Sequence, residues 1–233
     1  MIRPPFGLAA LDMAGTTVVD DGVVEEAFRH ALETTVAGSD AGTAGTAAAL
    51  ADPEAFVRQT MGQSKISVFT ELFGGDDGLA AEANAAFEDA FDRAVDRGDV
   101  EPMPGAVATI RRLQSAGVQV CLTTGFAPAT RDRILAALGW TELVDLALSP
   151  ADAGRGRPWP DMILTAVLRL GVDDVAEVAV AGDTVSDLVA GTRSGASVVA
   201  GVLNGAHSRA ELEQAPHTHI LESITDLPAV LLG

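Results

Sequence analysis

Between Gly105 and the C-terminus, short apolar segments typical of strands alternate with segments typical of helices. The strand-like segments lie at 118–122, 143–148, 178–181 and 197–202, and the helix-like ones lie between and after them. A further apolar run at 6–11 ends at Asp12 and indicates a buried strand. Because strands separated by helices run parallel, the pattern predicts an α/β fold with a three-layer, Rossmann-like core, in which a parallel sheet is covered on both faces.

The segment 18–102 has a different pattern, with helical periodicity and no strand-like run. Its apolar residues recur at four-residue steps, as in Leu79, Ala83, Phe87, Phe91 and Val95. We expect this segment to form a small all-helical cap domain inserted into the core, which then comprises 1–17 and 103–233. An Ala-, Gly- and Thr-rich stretch at 37–51 is typical of a linker.

The charge of the chain limits its partners. The formal net charge of −18 argues against binding to nucleic acid or to an anionic membrane surface, because both would be repelled. No run approaches the roughly 18 apolar residues of a membrane span, and the N-terminus lacks a signal-peptide cleavage pattern, so we expect a cytoplasmic protein. The lone Cys121 cannot form a disulfide within the chain, and the histidines have no zinc-binding spacing.

Residues that can bind a ligand occur in the segments that follow four of the predicted strands. They are Asp12 after the first, Thr123, Thr124 and Gly125 after the second, Arg157 after the third, and Asp183 with Asp187 after the fourth. In open α/β sheets, ligands bind beyond these carboxyl ends, so the residues are expected to share one crevice. Carboxylates, hydroxyls and a guanidinium are the groups that bind Mg²⁺ and a phosphoryl group.

These residue types fit the steps of phosphoryl transfer. Asp12 can attack phosphorus and form an acyl phosphate that water then hydrolyses. Asp183 and Asp187, together with Asp12, offer hard oxygen ligands for Mg²⁺. Arg157 and one of the two threonines after the second strand can donate hydrogen bonds to the transferring group.

Three motifs resemble those of the haloacid dehalogenase superfamily of phosphohydrolases, and the resemblance covers nearly the whole chain. They are Asp-Met-Ala-Gly-Thr-Thr at 12–17, Gly-Arg-Pro-Trp-Pro at 156–160 and Gly-Asp-Thr-Val-Ser-Asp at 182–187. The first motif, and Arg157 where most of the superfamily has lysine, more narrowly resemble the phosphonoacetaldehyde hydrolase (phosphonatase) subfamily. The resemblance implies a nucleophilic Asp12, Mg²⁺ as cofactor, and a cap domain inserted after the first motif.

Ala14 stands where phosphatases of this superfamily place a second aspartate as general acid. Alanine cannot protonate an alkoxide leaving group, so hydrolysis of an ester would lose the ~10²–10⁴-fold that such a proton transfer contributes. The resemblance to phosphonatase implies that the backbone carbonyl of Ala14 approaches Mg²⁺ instead. We also expect Thr16, Gly125 and Met61 to contact the substrate.

Lys65 is the only lysine among the 15 basic residues. It ends a Met-Gly-Gln-Ser-Lys segment at 61–65, which resembles the phosphonatase segment whose lysine forms a Schiff base with the aldehyde substrate. The iminium accepts the electrons released when the carbon–phosphorus bond breaks. Arginine could not replace this lysine, because its guanidinium stays protonated. Val68 departs from the resemblance, since phosphonatase has a histidine there that assists proton transfer.

The expected activity is Mg²⁺-dependent cleavage of the carbon–phosphorus bond of phosphonoacetaldehyde or a close analogue. Two alternatives stay open. One is a phosphatase that acts on a small phosphorylated metabolite and uses Lys65 to recognise a phosphate or carboxylate. The other is a non-catalytic phosphate-binding protein of the same fold. The resemblance to phosphonatase also suggests a homodimer formed through the cap helix near 20–35.

Overall fold

The computed structural model describes residues 6–37 and 52–233. A parallel six-stranded sheet forms its centre, in the order β3-β2-β1-β4-β5-β6. The strands are β1 Leu8–Asp12, β2 Gln119–Thr123, β3 Leu146–Leu148, β4 Val178–Gly182, β5 Val198–Val202 and β6 His219–Leu221. This arrangement confirms the predicted α/β class and the parallel sheet.

After β1, the structure describes the helices α1 Val23–Ala37, α2 Pro53–Thr60, α3 Lys65–Leu72 and α4 Asp77–Arg97. The helices that follow are α5 Ala106–Ser115, α6 Pro128–Ala137, α7 Pro150–Ala153, α8 Asp161–Leu170, α9 Val185–Ser194, α10 Arg209–Leu212 and α11 Leu227–Leu232. Short 3₁₀ segments precede β4 and α11, at Val175–Glu177 and Ile224–Asp226.

Alternate residues of β1 enter two different apolar clusters. Leu11 packs in the cluster that contains Ile110 of α5, whereas Ala10 packs in the cluster that contains Met162 of α8. Because successive side chains of a strand point to opposite faces, both faces of the sheet are covered by helices. The core therefore has the three layers that the sequence predicts.

The strand β6 is absent from the sequence-based expectation, which placed only helices after β5. It is a three-residue edge strand of half-buried residues, too short to give a periodic signal. Backbone pairing forms it: the Thr218 N–H donates to the Val199 carbonyl at 2.8 Å, and the Leu203 N–H donates to the Leu221 carbonyl at 3.1 Å.

The helices α1–α4 share a row of phenylalanine rings. Phe28 of α1 stacks on Phe69 of α3 with ring centroids 5.0 Å apart, and Phe69 contacts Phe87 of α4 at 6.4 Å. Phe91 of α4 then meets Phe126, which follows β2, at 4.6 Å. The predicted apolar face of α4 is thus buried, and it holds these helices against the sheet edge where β1 and β2 end.

Two backbone hydrogen bonds tie the segment leaving β1 to the segment entering α5. The Met103 N–H donates to the Thr17 carbonyl at 2.8 Å, and the Val19 N–H donates to the Glu101 carbonyl at 2.9 Å. The helical segment between these crossings is consistent with the expected cap insertion, and its division from the core as a separate domain stays a prediction.

Apart from Ala37, the linker predicted at 37–51 lies outside the described residues. Within 6–37 and 52–233, no helix combines the length and the apolar character that a membrane crossing requires.

Candidate active site

The strand ends bring three predicted carboxylates together. Asp12 is the last residue of β1, and Asp183 and Asp187 lie in the turn after β4 and the first turn of α9. All three are buried, and each contributes an oxygen that lies within 4.8 Å of the others. The predicted crevice at the carboxyl edge of the sheet is therefore present, with its acidic residues in contact range.

Arg157 lies between two of these carboxylates. It belongs to the segment between α7 and α8, is 6% exposed, and pairs through Nη1 with Asp12 Oδ1 and with Asp187 Oδ1. Burial alone would lower the pKa of Arg157, but the two carboxylates raise it above its ordinary value, so the guanidinium stays charged. Its Nε is buried without a hydrogen-bond partner among the described residues, which leaves a donor for an anionic ligand.

Hydrogen bonds from neighbouring loops hold the carboxylates of Asp183 and Asp187. Thr16 Oγ1 donates to Asp183 Oδ1 at 3.0 Å, and the Ala206 N–H donates to Asp183 Oδ2 at 2.7 Å. Asp187 Oδ2 accepts from the Thr184 N–H at 3.0 Å, which is one bond of the capping box of α9, and also from the Thr184 hydroxyl. The orientation of both carboxylates is thus set by the fold.

This cluster has the donor set of a magnesium site. Burial raises the pKa of Asp12 well above its ordinary value, and burial together with Asp187 raises the pKa of Asp183 to about 6. Three buried carboxylates lie near a single guanidinium, which pairs with two of them. A divalent cation would therefore offset negative charge that Arg157 leaves uncompensated. Carboxylate oxygens are also the ligands that Mg²⁺ prefers. The residues present therefore fit the predicted cofactor.

A small, partly open cavity lies above Asp12, between the strand ends and the segment 61–65. Its volume is about 20 Å³, which is room for about one water molecule. Its lining includes most of the predicted site residues, namely Asp12, Ala14, Met61, Lys65, Thr124, Gly125 and Arg157. A substrate larger than water can enter only if the helices above the cavity move away from the sheet.

Two predicted substrate-binding residues lie outside the lining of this cavity. The hydroxyl of Thr16 is engaged by Asp183, and Thr123 lies at the end of β2 in register with Asp12. Thr124 lines the cavity, and its Oγ1 accepts from the Phe126 N–H at 3.2 Å. Of the two threonines that the sequence left as alternatives, the structure brings Thr124 to the cavity.

Lys65 is the first residue of α3 and is 7% exposed. Its Nζ lies 5.8 Å from the centroid of the Phe87 ring. Burial lowers the pKa of Lys65 to about 8; Asp20 and Asp12 act to raise it, and Arg157 acts to lower it. About a tenth of the amine is therefore unprotonated at pH 7, far more than for a lysine in water, and the unprotonated amine is the nucleophilic form.

Glycines let the segment 61–65 lie directly on the loops of the sheet. A Cβ on Gly125 would overlap the backbone carbonyl oxygen of Gln63, and a Cβ on Gly62, whose φ is +79°, would press on the side chain of Thr184. The Lys65 N–H lies 3.4 Å from the Gly125 carbonyl oxygen, to which it donates. Close backbone contact thus sets the position of Lys65.

Two residues near the site carry no role in the sequence-based predictions. Asp20 lines an open cleft of about 380 Å³ that also touches Met61 and Gly15, and its Oδ1 accepts from the Val24 N–H at 3.2 Å. The Asp-Asp-Gly run at 20–22 indicates only a turn before a helix, so nothing in the sequence pointed to Lys65. His207 is buried between the core and α2, where its ring contacts the Arg58 carbonyl.

Comparison with known proteins gives consistent matches. A family model described as haloacid dehalogenase-like hydrolase matches residues 6–195. The phosphonoacetaldehyde hydrolase of Pseudomonas fluorescens (strain SBW25) is 31% identical over 153 residues, which are 55% of this chain and 55% of that protein. The chain thus spans about half the length of the curated relatives it matches.

Solved structures share the fold over nearly the full chain. A phosphonoacetaldehyde hydrolase like protein from Oleispira antarctica has a TM-score of 0.79 at 21% identity, covering 98% of this chain and 92% of that one. A predicted phosphoglycolate phosphatase from Haemophilus somnus has a TM-score of 0.77 at 15% identity, covering 97% of this chain and 98% of that one. At these identities the likeness concerns the fold alone.

Gly125→Ala is expected to displace the segment 61–65, because the added Cβ overlaps the Gln63 carbonyl oxygen. Overpacking of this kind costs about 1–3 kcal/mol, so amide hydrogen exchange in a peptide spanning 61–68 should become about tenfold faster or more. Gly78→Ala, in the first turn of α4, is the matched control and should leave that peptide unchanged. Unaltered exchange in Gly125→Ala would mean that the segment does not lie on Gly125.

Proposed function

Because the chain belongs to the haloacid dehalogenase-like hydrolases, we propose that it is a Mg²⁺-dependent hydrolase of the phosphonatase type. The proposed reaction cleaves the carbon–phosphorus bond of phosphonoacetaldehyde, or of a close analogue, to phosphate and an aldehyde. Asp12 is the proposed nucleophile toward phosphorus and Lys65 the proposed amine toward the aldehyde. The relatives named phosphonoacetaldehyde hydrolase support this choice of substrate class.

One observation carries the proposal: the chain's single lysine is buried in the same cavity as Asp12, Ala14 and Arg157. Burying an amine is unfavourable, and no carboxylate lies within ion-pair distance of Lys65 among the described ion pairs. If Lys65 served only to bind an anion, we would expect a site that keeps its amine protonated. Burial of Lys65 instead lowers the pKa of its amine to about 8 and so favours, relative to a lysine in water, the neutral form that condenses with an aldehyde.

The chain's own groups suffice to hold the phosphoryl group. Arg157 Nε is a buried donor without a partner among the described residues, and Thr124 and the backbone of Gly125 line the same cavity. They would orient the phosphorus toward Asp12, whose carboxylate oxygen attacks it. When bound, Mg²⁺ would supply positive charge to the phosphoryl oxygens, and Asp12, Asp183 and Asp187 are the residues that would hold it.

Lys65 would supply the electron sink. Its neutral Nζ adds to the aldehyde carbon, and loss of water gives an iminium. The electron pair of the carbon–phosphorus bond then moves into the iminium to give an enamine, while the Asp12 oxygen bonds to phosphorus. Water hydrolyses the aspartyl phosphate to phosphate, and protonation and hydrolysis of the enamine release the aldehyde and Lys65. The buried Val68 cannot carry protons, so water would exchange them.

Hydrolysis of a phosphomonoester is the alternative activity, and the fold likeness to a predicted phosphoglycolate phosphatase brings it into consideration. An ester needs a proton for its alkoxide leaving group. Among the described residues that line the cavity above Asp12, Asp12 is the only carboxylate, and it is the proposed nucleophile. Ala14 leaves the usual position of the acid without a titratable group, which favours the phosphonate reaction.

Borohydride reduction in the presence of phosphonoacetaldehyde should leave a reduced adduct on Lys65, identified by mass spectrometry of the peptide that contains it. Asp12→Asn should accumulate the phosphonoethyl form of this adduct, because the imine forms while the carbon–phosphorus bond stays intact. Lys65→Arg is the control and should give no adduct. A wild-type protein that turns over the aldehyde without leaving an adduct would refute the imine.

The pH dependence of kcat/KM should follow the deprotonation of Lys65. A protonated amine cannot attack the aldehyde, so the rate should rise with pH and level off above about 8. Asp20→Asn removes a charge that raises the pKa of Lys65, so the rising limb should move to lower pH. Asp21→Asn, at the neighbouring exposed position, should leave it in place; equal shifts in the two variants would contradict the assignment.

A further inference from the structure

His207 joins the sheet loops to the helices above the cavity. It follows β5, is 8% exposed, and its Nδ1 accepts from the N–H of Val185, the first residue of α9, at 3.0 Å. A ring nitrogen that accepts carries no proton, so the neutral imidazole has its proton on Nε2. Nε2 lies 2.9 Å from the carbonyl oxygen of Arg58, to which it therefore donates. The imidazole thus accepts a hydrogen bond from α9 and donates one to α2.

Arg58 is the first residue of the chain segment that leads to Lys65. Arg58 is in the last turn of α2, and its carbonyl also accepts from the Met61 N–H at 3.3 Å. The Gln63 N–H in turn donates to the Thr60 carbonyl at 3.1 Å. These bonds make the segment from Arg58 to Lys65 compact. A displacement of Arg58 would therefore also displace residues 61–65.

The segment that carries His207 also binds a carboxylate of the proposed metal site. The His207 N–H donates to the Asp183 carbonyl at 3.3 Å, and the preceding Ala206 N–H donates to Asp183 Oδ2 at 2.7 Å. A Cβ on Gly205 would overlap the Asp183 side chain, so this segment lies directly on it. The backbone of His207 is therefore fixed by the site, while its side chain reaches the helices above.

We propose that His207 is a positioning residue: its Nε2–H bond to the Arg58 carbonyl holds α2 and the segment 61–65 closed over Asp12. The effect of this latch on catalysis by Lys65 rests on the proposed function, whereas the latch itself rests on the two hydrogen bonds of the imidazole.

Two variants separate the two bonds of the imidazole. Asparagine at 207 can still accept from the Val185 N–H but is too short to donate to Arg58, whereas glutamine can reach the Arg58 carbonyl. The readout is the rate at which an amine acylating reagent modifies Lys65, measured on its peptide by mass spectrometry. Since Lys65 is the only lysine and is 7% exposed, this rate reports opening of the cavity whatever reaction the protein catalyses.

In His207→Asn, Lys65 should be modified about 3–10-fold faster than in the wild type, because the variant loses one neutral hydrogen bond that favours the closed form. His207→Gln should restore slow modification. His217→Gln is the matched control, because His217 is exposed and bonds within its own segment, to the Ala215 carbonyl. Equal rates in His207→Asn and wild type would overturn the latch.

A measurement on the unmutated protein covers the case in which His207→Asn does not fold. Long-range ¹H–¹⁵N spectra of histidine-labelled protein distinguish the two neutral tautomers. The latch requires His207 with its proton on Nε2, and a proton on Nδ1 would overturn it.

Discussion

The contact on which the site depends is the guanidinium of Arg157 between Asp12 and Asp187. The end of β1, the first turn of α9 and the segment between α7 and α8 meet there, and each brings a buried charge that would be unfavourable alone. The pairing places the proposed nucleophile beside the proposed metal residues, and it still leaves Arg157 Nε free of a partner among the described residues. One side chain thus supports the site and keeps a donor for the anion that we propose it binds.

The position of Lys65 follows from a different constraint, the fit between two backbones. The segment 61–65 lies on Gly125 and against Thr184, and a row of phenylalanines from Phe28 to Phe126 holds its helices on the sheet. The same burial that excludes water lowers the pKa of the amine. The exclusion of water from Lys65 and the lowered pKa of its amine therefore have one cause, and opening of the cavity would reverse both.

Much of this arrangement could be predicted because it rests on local patterns. Strand ends followed by Asp12, Arg157 and Asp183 identify a crevice without any tertiary information, since parallel strands all present their carboxyl ends on one side. The alternation of apolar runs predicts the sheet in the same way. The four-residue spacing along α4 likewise predicted which face of that helix is buried.

What could not be predicted depends on contacts between distant segments. Edge strand β6 forms by pairing with β5, and its three residues carry no period. Asp20 acts on Lys65, and His207 reaches Arg58, only because the chain folds back between them. The choice between Thr123 and Thr124 likewise depends on where β2 ends relative to the cavity, which residue spacing does not determine.

The central claim is that Asp12 and Lys65 together cleave a carbon–phosphorus bond. The most direct test measures phosphate and acetaldehyde released from phosphonoacetaldehyde in the presence of Mg²⁺, with wild type and Lys65→Arg side by side. The account predicts equal amounts of the two products from wild type and neither from a folded Lys65→Arg. It would be contradicted if wild type released neither product while hydrolysing phosphomonoesters, since Lys65 would then serve substrate recognition in a phosphatase.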